Sequence, residues 1–203
     1  MHYGHDHPRS HLIQDQAALG IDTHMTFSTD ILTQARIWLQ YVRLTLFRAD
    51  LDTWHIPSTS PMSAVQAFLL ATRQGGLALR RPDLGVIRAG AKADLVVWEG
   101  RSPGMLGWVD PVAAVILHAN VGDVKHVMVD GVFRKRDGKL TVANYAEVQA
   151  NFTRAALDIQ EVLRNTPYPE LEGEYFTYGW KFRPTTTVDV ARGDGDGYGK
   201  LYV

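Results

Sequence analysis

A chain of 203 residues, 45% hydrophobic and 21% charged, has the composition of an ordinary globular protein, long enough for one domain with a core or for part of something larger. Its formal net charge of -1 leaves no basic footprint for nucleic acid or an anionic membrane. The absence of cysteine excludes disulfides, thiolate metal sites and a cysteine nucleophile, so any metal must rely on His, Asp or Glu. No stretch approaches the roughly 18–20 apolar residues of a membrane span. Residues 1–10 are polar and histidine-rich, unlike the apolar run of a secretory signal, so the expected setting is the cytoplasm.

In chain order, residues 17–21 form a short apolar run ending at Asp22, the pattern of a buried strand that delivers a carboxylate at its C-terminal end. Ser28, Thr29 or Asp30 can cap the helix that follows, in which Ile31, Ala35, Trp38, Leu39, Val42 and Leu46 recur at spacings of three and four through about Phe47. Two prolines between residues 50 and 61 predict a loop. Ser60 and Pro61 then read as the cap and first turn of a helix over residues 62–79. The Gly75-Gly76 pair in it implies close approach of another backbone.

From Leu84 the period shortens. Residues 85–87, 93–98, 124–129 and 132–135 read as strands, and Asp130-Gly131 and Asp137-Gly138 as hairpin turns. Asp110-Pro111 opens a short helix over residues 112–118. Residues 144–164 are helical again, with Val148, Phe152, Ala155, Ile159 and Val162 on one face. Beyond residue 167 no period remains: an aromatic stretch is followed by a Gly/Asp-rich end that reads as disordered over residues 192–200.

Three phrases carry a family resemblance. Ala71-Thr72-Arg73-Gln74-Gly75-Gly76-Leu77-Ala78-Leu79, the run from Leu84-Gly85-Val86-Ile87 through Ala93-Asp94-Leu95-Val96-Val97, and Asp123-Val124-Lys125-His126-Val127-Met128-Val129-Asp130-Gly131 with Arg136-Asp137-Gly138 resemble the C-terminal signature of the amidohydrolase superfamily, in its deaminase- and chlorohydrolase-like branch. The resemblance implies an α/β chain: the last strand or strands and helices of an incomplete (β/α)8 barrel over residues 1–83, a small β-sandwich-type module over 84–142, a C-terminal helix over 143–166 and a tail over 167–203. In such barrels the active site lies at the C-terminal ends of the strands. Leu19-Gly20-Ile21-Asp22 resembles the last barrel strand, whose aspartate in that branch binds the metal and shuttles the proton of the attacking water.

Asp22 is therefore the expected catalytic residue and metal ligand, for a divalent zinc or iron ion implied by the family. One carboxylate cannot hold the ion, because such sites typically take three protein ligands and an open position. His5 and His7 have a spacing that could chelate on a strand. They lie, however, where the family has a glycine- and histidine-rich loop lining the substrate pocket, and with His24 they are read as substrate-binding. His55 reads as exposed, His118 and His126 as structural, and Asp94 as a hydrogen-bonding residue of a strand-entry turn.

Two functions follow. One is hydrolysis of non-peptide C–N bonds by metal-activated water, deaminase-like, on a small heterocyclic amine or amide, with the other barrel strands supplied by another chain or an upstream segment. The other is a catalytically inactive remnant or subunit that associates with a partner, or with its own copy, through exposed strand edges.

Overall fold

A computed structural model of the chain describes residues 16–21, 30–167, 173–175 and 179–182. The chain separates into two compact units, Met1–Tyr145 and Ala146–Val203.

In the first unit, α1 spans Ile31–Leu51 and starts at Asp30, whose carboxylate accepts from the Thr33 amide at 2.8 Å. Such a cap supplies one of the amide partners that the first turn of a helix otherwise lacks. The apolar residues at spacings of three and four do what their period predicts: Leu32, Ala35, Leu39 and Val42 are buried. The helix runs one turn beyond the predicted end, since nothing before Asp52 interrupts it.

The next helix departs from its prediction at both ends. α2 spans Ala64–Ala71 with Ser63, not Ser60, at its cap, because Ser63 and Gln66 form a reciprocal capping box. Met62, with φ 55°, is in the left-handed region and cannot belong to the first turn. At the other end the chain breaks at Thr72 (φ -132°, ψ -88°) before α3, Arg73–Ala78. Thr72 Oγ1 donates back to the Phe68 carbonyl at 2.7 Å, and Arg73 donates to the carbonyls of Pro82 and Leu84 at 3.1 and 2.6 Å. The expected close approach is real at Gly76, where a Cβ would lie 2.8 Å from the Leu84 oxygen; Gly75 faces open space.

Beyond α3, residues 85–87 form no strand. Gly85 instead sits at φ +67°, with its α-carbon pressed so near α3 that a Cβ would lie 2.7 Å from Arg73 Cα. A four-stranded antiparallel sheet follows in the order β1 (Leu95–Trp98), β2 (Val124–Val129), β3 (Val132–Arg136) and β4 (Lys139–Leu140). Both Asp-Gly pairs make the predicted hairpin turns, with φ of 48° and 81° at Asp130-Gly131 and 50° and 79° at Asp137-Gly138. Positive φ at both central residues matches the right-handed twist of the flanking strands.

Between β1 and β2 lies α4, Pro111–Leu117, capped by the Asp110 carboxylate on the amides of Val112 and Ala113 at 2.8 and 3.1 Å. A 3-10 turn at Val121–Asp123 leads into β2. There Asp123, the buried acid among the described residues, accepts from the backbone and side chain of Asn120, both at 2.8 Å. The core of this unit is where α1, α2 and α4 meet: Leu39, Leu70 and Ile116 are fully buried there with Val42, Ala67 and Ala114. Arg36 locks two of these helices together, donating from α1 to the carbonyls of Val115, Ile116 and Ala119 at the C-terminus of α4.

The second unit consists mainly of α5, Tyr145–Asn165, none of whose residues is buried. Its tail holds a pairing that the aperiodic sequence did not suggest, β5 (Glu174–Tyr175) antiparallel to β6 (Trp180–Lys181). Residues 192–200, read as disordered, lie outside the described residues. Among those described, no helix is long and apolar enough to cross a membrane.

Arg36→Ala is expected to lower the unfolding free energy by about 3 kcal/mol, since it strips a charged donor from half-buried carbonyls. Arg36→Lys should recover only part of this, because an ammonium lacks the guanidinium fork. Urea unfolding followed by circular dichroism reads both. Gly85→Ala should destabilise as well, by about 2 kcal/mol or more, through positive φ and the clash with α3; an unchanged unfolding midpoint would contradict the close approach.

Candidate active site

The segment leading to Asp22 is held from one side. The Leu19 amide donates to the Leu70 carbonyl, in the last turn of α2, at 3.1 Å, and Ala17 and Leu19 pack against the helical core. The expected buried strand is thus a segment without regular secondary structure, whose residues 16–21 alternate between exposed and half-buried. The physical reason is that a fully buried parallel strand needs neighbours on both sides and helices over both faces. Among the described residues none pairs with it in a sheet. Asp22 follows Ile21 directly, and Asp22, His24, His5 and His7 all lie outside the described residues.

Two described elements flank the position of Asp22 in the chain. Before it is the anchored Leu19; after it is Asp30, fixed at the N-terminus of α1 by its bonds to the amide and hydroxyl of Thr33. Arg43, two turns after Arg36 and half-buried like it, donates to the Pro61 and Met62 carbonyls and so ties α1 to the entry of α2. These arginines escape a reading by apolar period. The signal for them is a pair of cations seven residues apart, each next to a buried position, Ala35 or Val42.

Of the other histidines among the described residues, His126 and His55 do as the sequence suggests and His118, expected to be structural, does not. His126 Nδ1 accepts from the Asp137 amide at 3.1 Å, and its ring meets Phe133 edge-on at 5.8 Å, a structural role inside the sheet. His118 is exposed at the end of α4, and His55 is exposed beside Thr53. Asp94 accepts from the Asp130 amide at 2.7 Å across the entry to β1.

No group of three or more His, Asp or Glu that could hold a metal ion exists among the described residues. Of the buried polar atoms left without a partner among the described residues, Gln34 Nε2 and Trp38 Nε1, one turn apart on α1, are donors with no lone pair to offer, and Ser102 Oγ is a neutral hydroxyl that belongs to no group of His, Asp and Glu able to hold an ion. The described residues by themselves therefore do not make a metal centre.

Electrostatics on the β-rich part is that of solvated ion pairs. The Arg81 guanidinium, bonded to both carboxylate oxygens of Asp83 at 2.8 and 2.5 Å, holds that carboxyl down at about 2. Asp130 raises Lys92 through a 2.8 Å contact, and Lys125 lowers Glu99 through another of 2.8 Å. Every side chain in these pairs is at least 30% exposed, so each pair contributes little to stability.

Against this geometry the comparisons with known proteins are informative. The chain matches the amidohydrolase family over residues 8–134, a span that includes Asp22, the helical core and most of the sheet, and it belongs to that family. It is 34% identical over 100 residues to a 5'-deoxyadenosine deaminase of Methanopyrus kandleri, covering 49% of this chain and 23% of that protein. Over 65 residues it is 46% identical to an imidazolonepropionase of Anaeromyxobacter sp., covering 30% of this chain and 15% of that protein. An adenosine deaminase from Xanthomonas campestris, solved with bound zinc, superposes with a TM-score of 0.55 at 20% identity over 65% of this chain and 28% of its own, a likeness of fold. The chain spans less than a quarter of the length of either curated relative.

The Asp83 carboxyl should titrate near 2 in the folded chain, followed by NMR, and return toward the usual value of about 3.9 in Arg81→Ala. Because the folded value is depressed, the contribution of this pair to stability is present above about pH 4 and is lost as pH falls through 2.

Proposed function

We propose that the chain supplies the last barrel strand and its catalytic aspartate, together with the C-terminal β module, to a metal-dependent hydrolase of non-peptide C–N bonds of the deaminase kind. The observation that carries the reading is the family match over residues 8–134, which takes in Asp22 and most of the module. On this reading residues 1–83 are the end of an amidohydrolase barrel, 84–142 the sandwich-type module, 143–166 a C-terminal helix and 167–203 a tail.

A zinc or iron ion held in such a site would supply an activated water, with a pKa of about 7. Asp22 would serve as its proton acceptor and then as the donor to the leaving nitrogen, one carboxylate acting as base and then as acid. His5, His7 and His24 line the substrate pocket, which admits a small heterocyclic amine; the relatives named as deaminases of adenosine-type nucleosides support that class. The other metal ligands come from residues outside those described.

The test is metal analysis of the protein assembled with the remaining barrel strands, as the full-length protein or its complex, together with ammonia release from adenosine and 5'-deoxyadenosine. Bound zinc or iron and measurable release are expected, and Asp22→Asn should cut release by about 10²–10⁴-fold with the far-ultraviolet circular dichroism unchanged. A protein that carries no metal and releases no ammonia from either nucleoside would sink the proposal.

A further inference from the structure

Two residues far apart in the chain, Thr72 and Leu19, share the carbonyls at the end of α2. A helix leaves its last carbonyls without partners inside it. Thr72 answers two of them, Phe68 through its hydroxyl at 2.7 Å and Leu69 through its amide at 3.2 Å. Leu70 is buried, and its carbonyl takes the Leu19 amide at 3.1 Å. Among the described residues, that is the backbone bond that ties residues 16–21 to the helices. It exists because the helix stops: in an unbroken helix the Leu70 carbonyl would accept from the amide four residues on, that of Gln74. A threonine hydroxyl that bonds back four residues competes with the helical ladder and bends it. Here the hydroxyl takes the Phe68 carbonyl, the Thr72 amide bonds three residues back instead of four, and ψ at Thr72 is -88°. On the far side of the break Arg73 donates to the Leu84 carbonyl at 2.6 Å, and Gly85 lies so close that a Cβ would be 3.0 Å from the Thr72 oxygen.

We propose that Thr72 is a positioning residue for the segment that leads to Asp22: its hydroxyl ends α2 at Ala71 and so keeps the Leu70 carbonyl for the Leu19 amide, which stands three residues before Asp22 in the chain. The role in chemistry rests on the proposed function, in which Asp22 handles the proton; the anchor itself does not. Without the hydroxyl, the half-buried Phe68 carbonyl loses its donor, a cost the chain can recover by continuing α2. The spacing of Val65, Leu69 and Thr72 already suits a longer helix. The Thr72 amide then moves to Phe68, and the amides of Arg73 and Gln74 follow to Leu69 and Leu70. Leu19 is displaced from its acceptor, and residues 16–21 lose their tie to the helical core.

The test is hydrogen exchange resolved to the Leu19 amide in the assembled protein, full-length or in complex, read beside the kinetics of ammonia release. In the unsubstituted protein this amide should be protected by roughly 100-fold or more; exchange at the rate of an unstructured peptide overturns the proposal before any substitution is made. Thr72→Val, which keeps the shape and drops the hydroxyl, should speed the exchange by about 10-fold or more and lower kcat by a similar factor, with KM within about twofold. Thr72→Ser, which keeps the hydroxyl, should hold both near the unsubstituted values. Thr153→Val removes a like bond on α5, from the Thr153 hydroxyl to the Gln149 carbonyl at 2.8 Å, and should change neither. A folded Thr72→Val variant with unaltered exchange at Leu19 overturns the anchor, as does a Thr72→Ser variant that behaves like Thr72→Val. Faster exchange with kcat unchanged overturns the positioning role. An unsubstituted protein that releases no ammonia is the failure of the proposed function, and of the positioning role with it, while the exchange still decides the anchor.

Discussion

The guanidinium of Arg36 is the constraint on which the arrangement of the first unit turns. A short helix such as α4 ends with carbonyls that have no partner within the helix, and here Val115, Ile116 and Ala119 present theirs toward α1. Burying those carbonyls beside Leu39 and Ile116 without donors would cost more than the apolar contact returns. A planar cation with five donors answers several at once while its aliphatic stem stays within the packing. The partial negative charge at a helix C-terminus adds to the attraction. Arg36 thus fixes α4 against α1, and α4 leads through the 3-10 turn at Val121–Asp123 directly into β2.

The same solution recurs. Arg43 serves the carbonyls that precede α2, and Arg73 those of Pro82 and Leu84 that precede the β-rich part. At that last junction the backbones come so close that Gly76 and Gly85 admit no side chain. The segment anchored through Leu19 and the sheet that begins at Leu95 are therefore connected through interlocked helices, α1 to α4, without direct pairing between them.

What the sequence disclosed was what obeys a period or a turn chemistry. The apolar face of α1, the Asp-Gly hairpins and the capping Asp110 are local signals, and each element appears where its signal stands. The break at Thr72 was hidden because Val65, Leu69 and Thr72 keep a helical spacing straight through it. It arises from contacts eleven and more residues away, with Leu84 and Gly85, that no local window contains. Capping at Ser63 instead of Ser60 turned on a choice between two serines three residues apart, decided by Gln66. As for the candidate site, the family resemblance made Asp22 legible, and the carbonyl-binding arginines escaped because a cation beside an apolar face reads as solvent-facing.

These features also bear on where chemistry can reside. In the β-rich part the displaced titrations belong to exposed ion pairs with identified partners, Asp83 with Arg81 and Glu99 with Lys125, so they need no catalytic explanation. Its histidine in the sheet, His126, has its Nδ1 occupied by an amide. The helical core, by contrast, holds rigid the two residues that bracket positions 22–29, Leu19 through Leu70 and Asp30 through Thr33. A catalytic carboxylate works only when its support is fixed to within about 0.5 Å. On the proposed function that support would come from Leu19 before Asp22 and Asp30 after it in the chain, and the assignment of Asp22 itself rests on the family match.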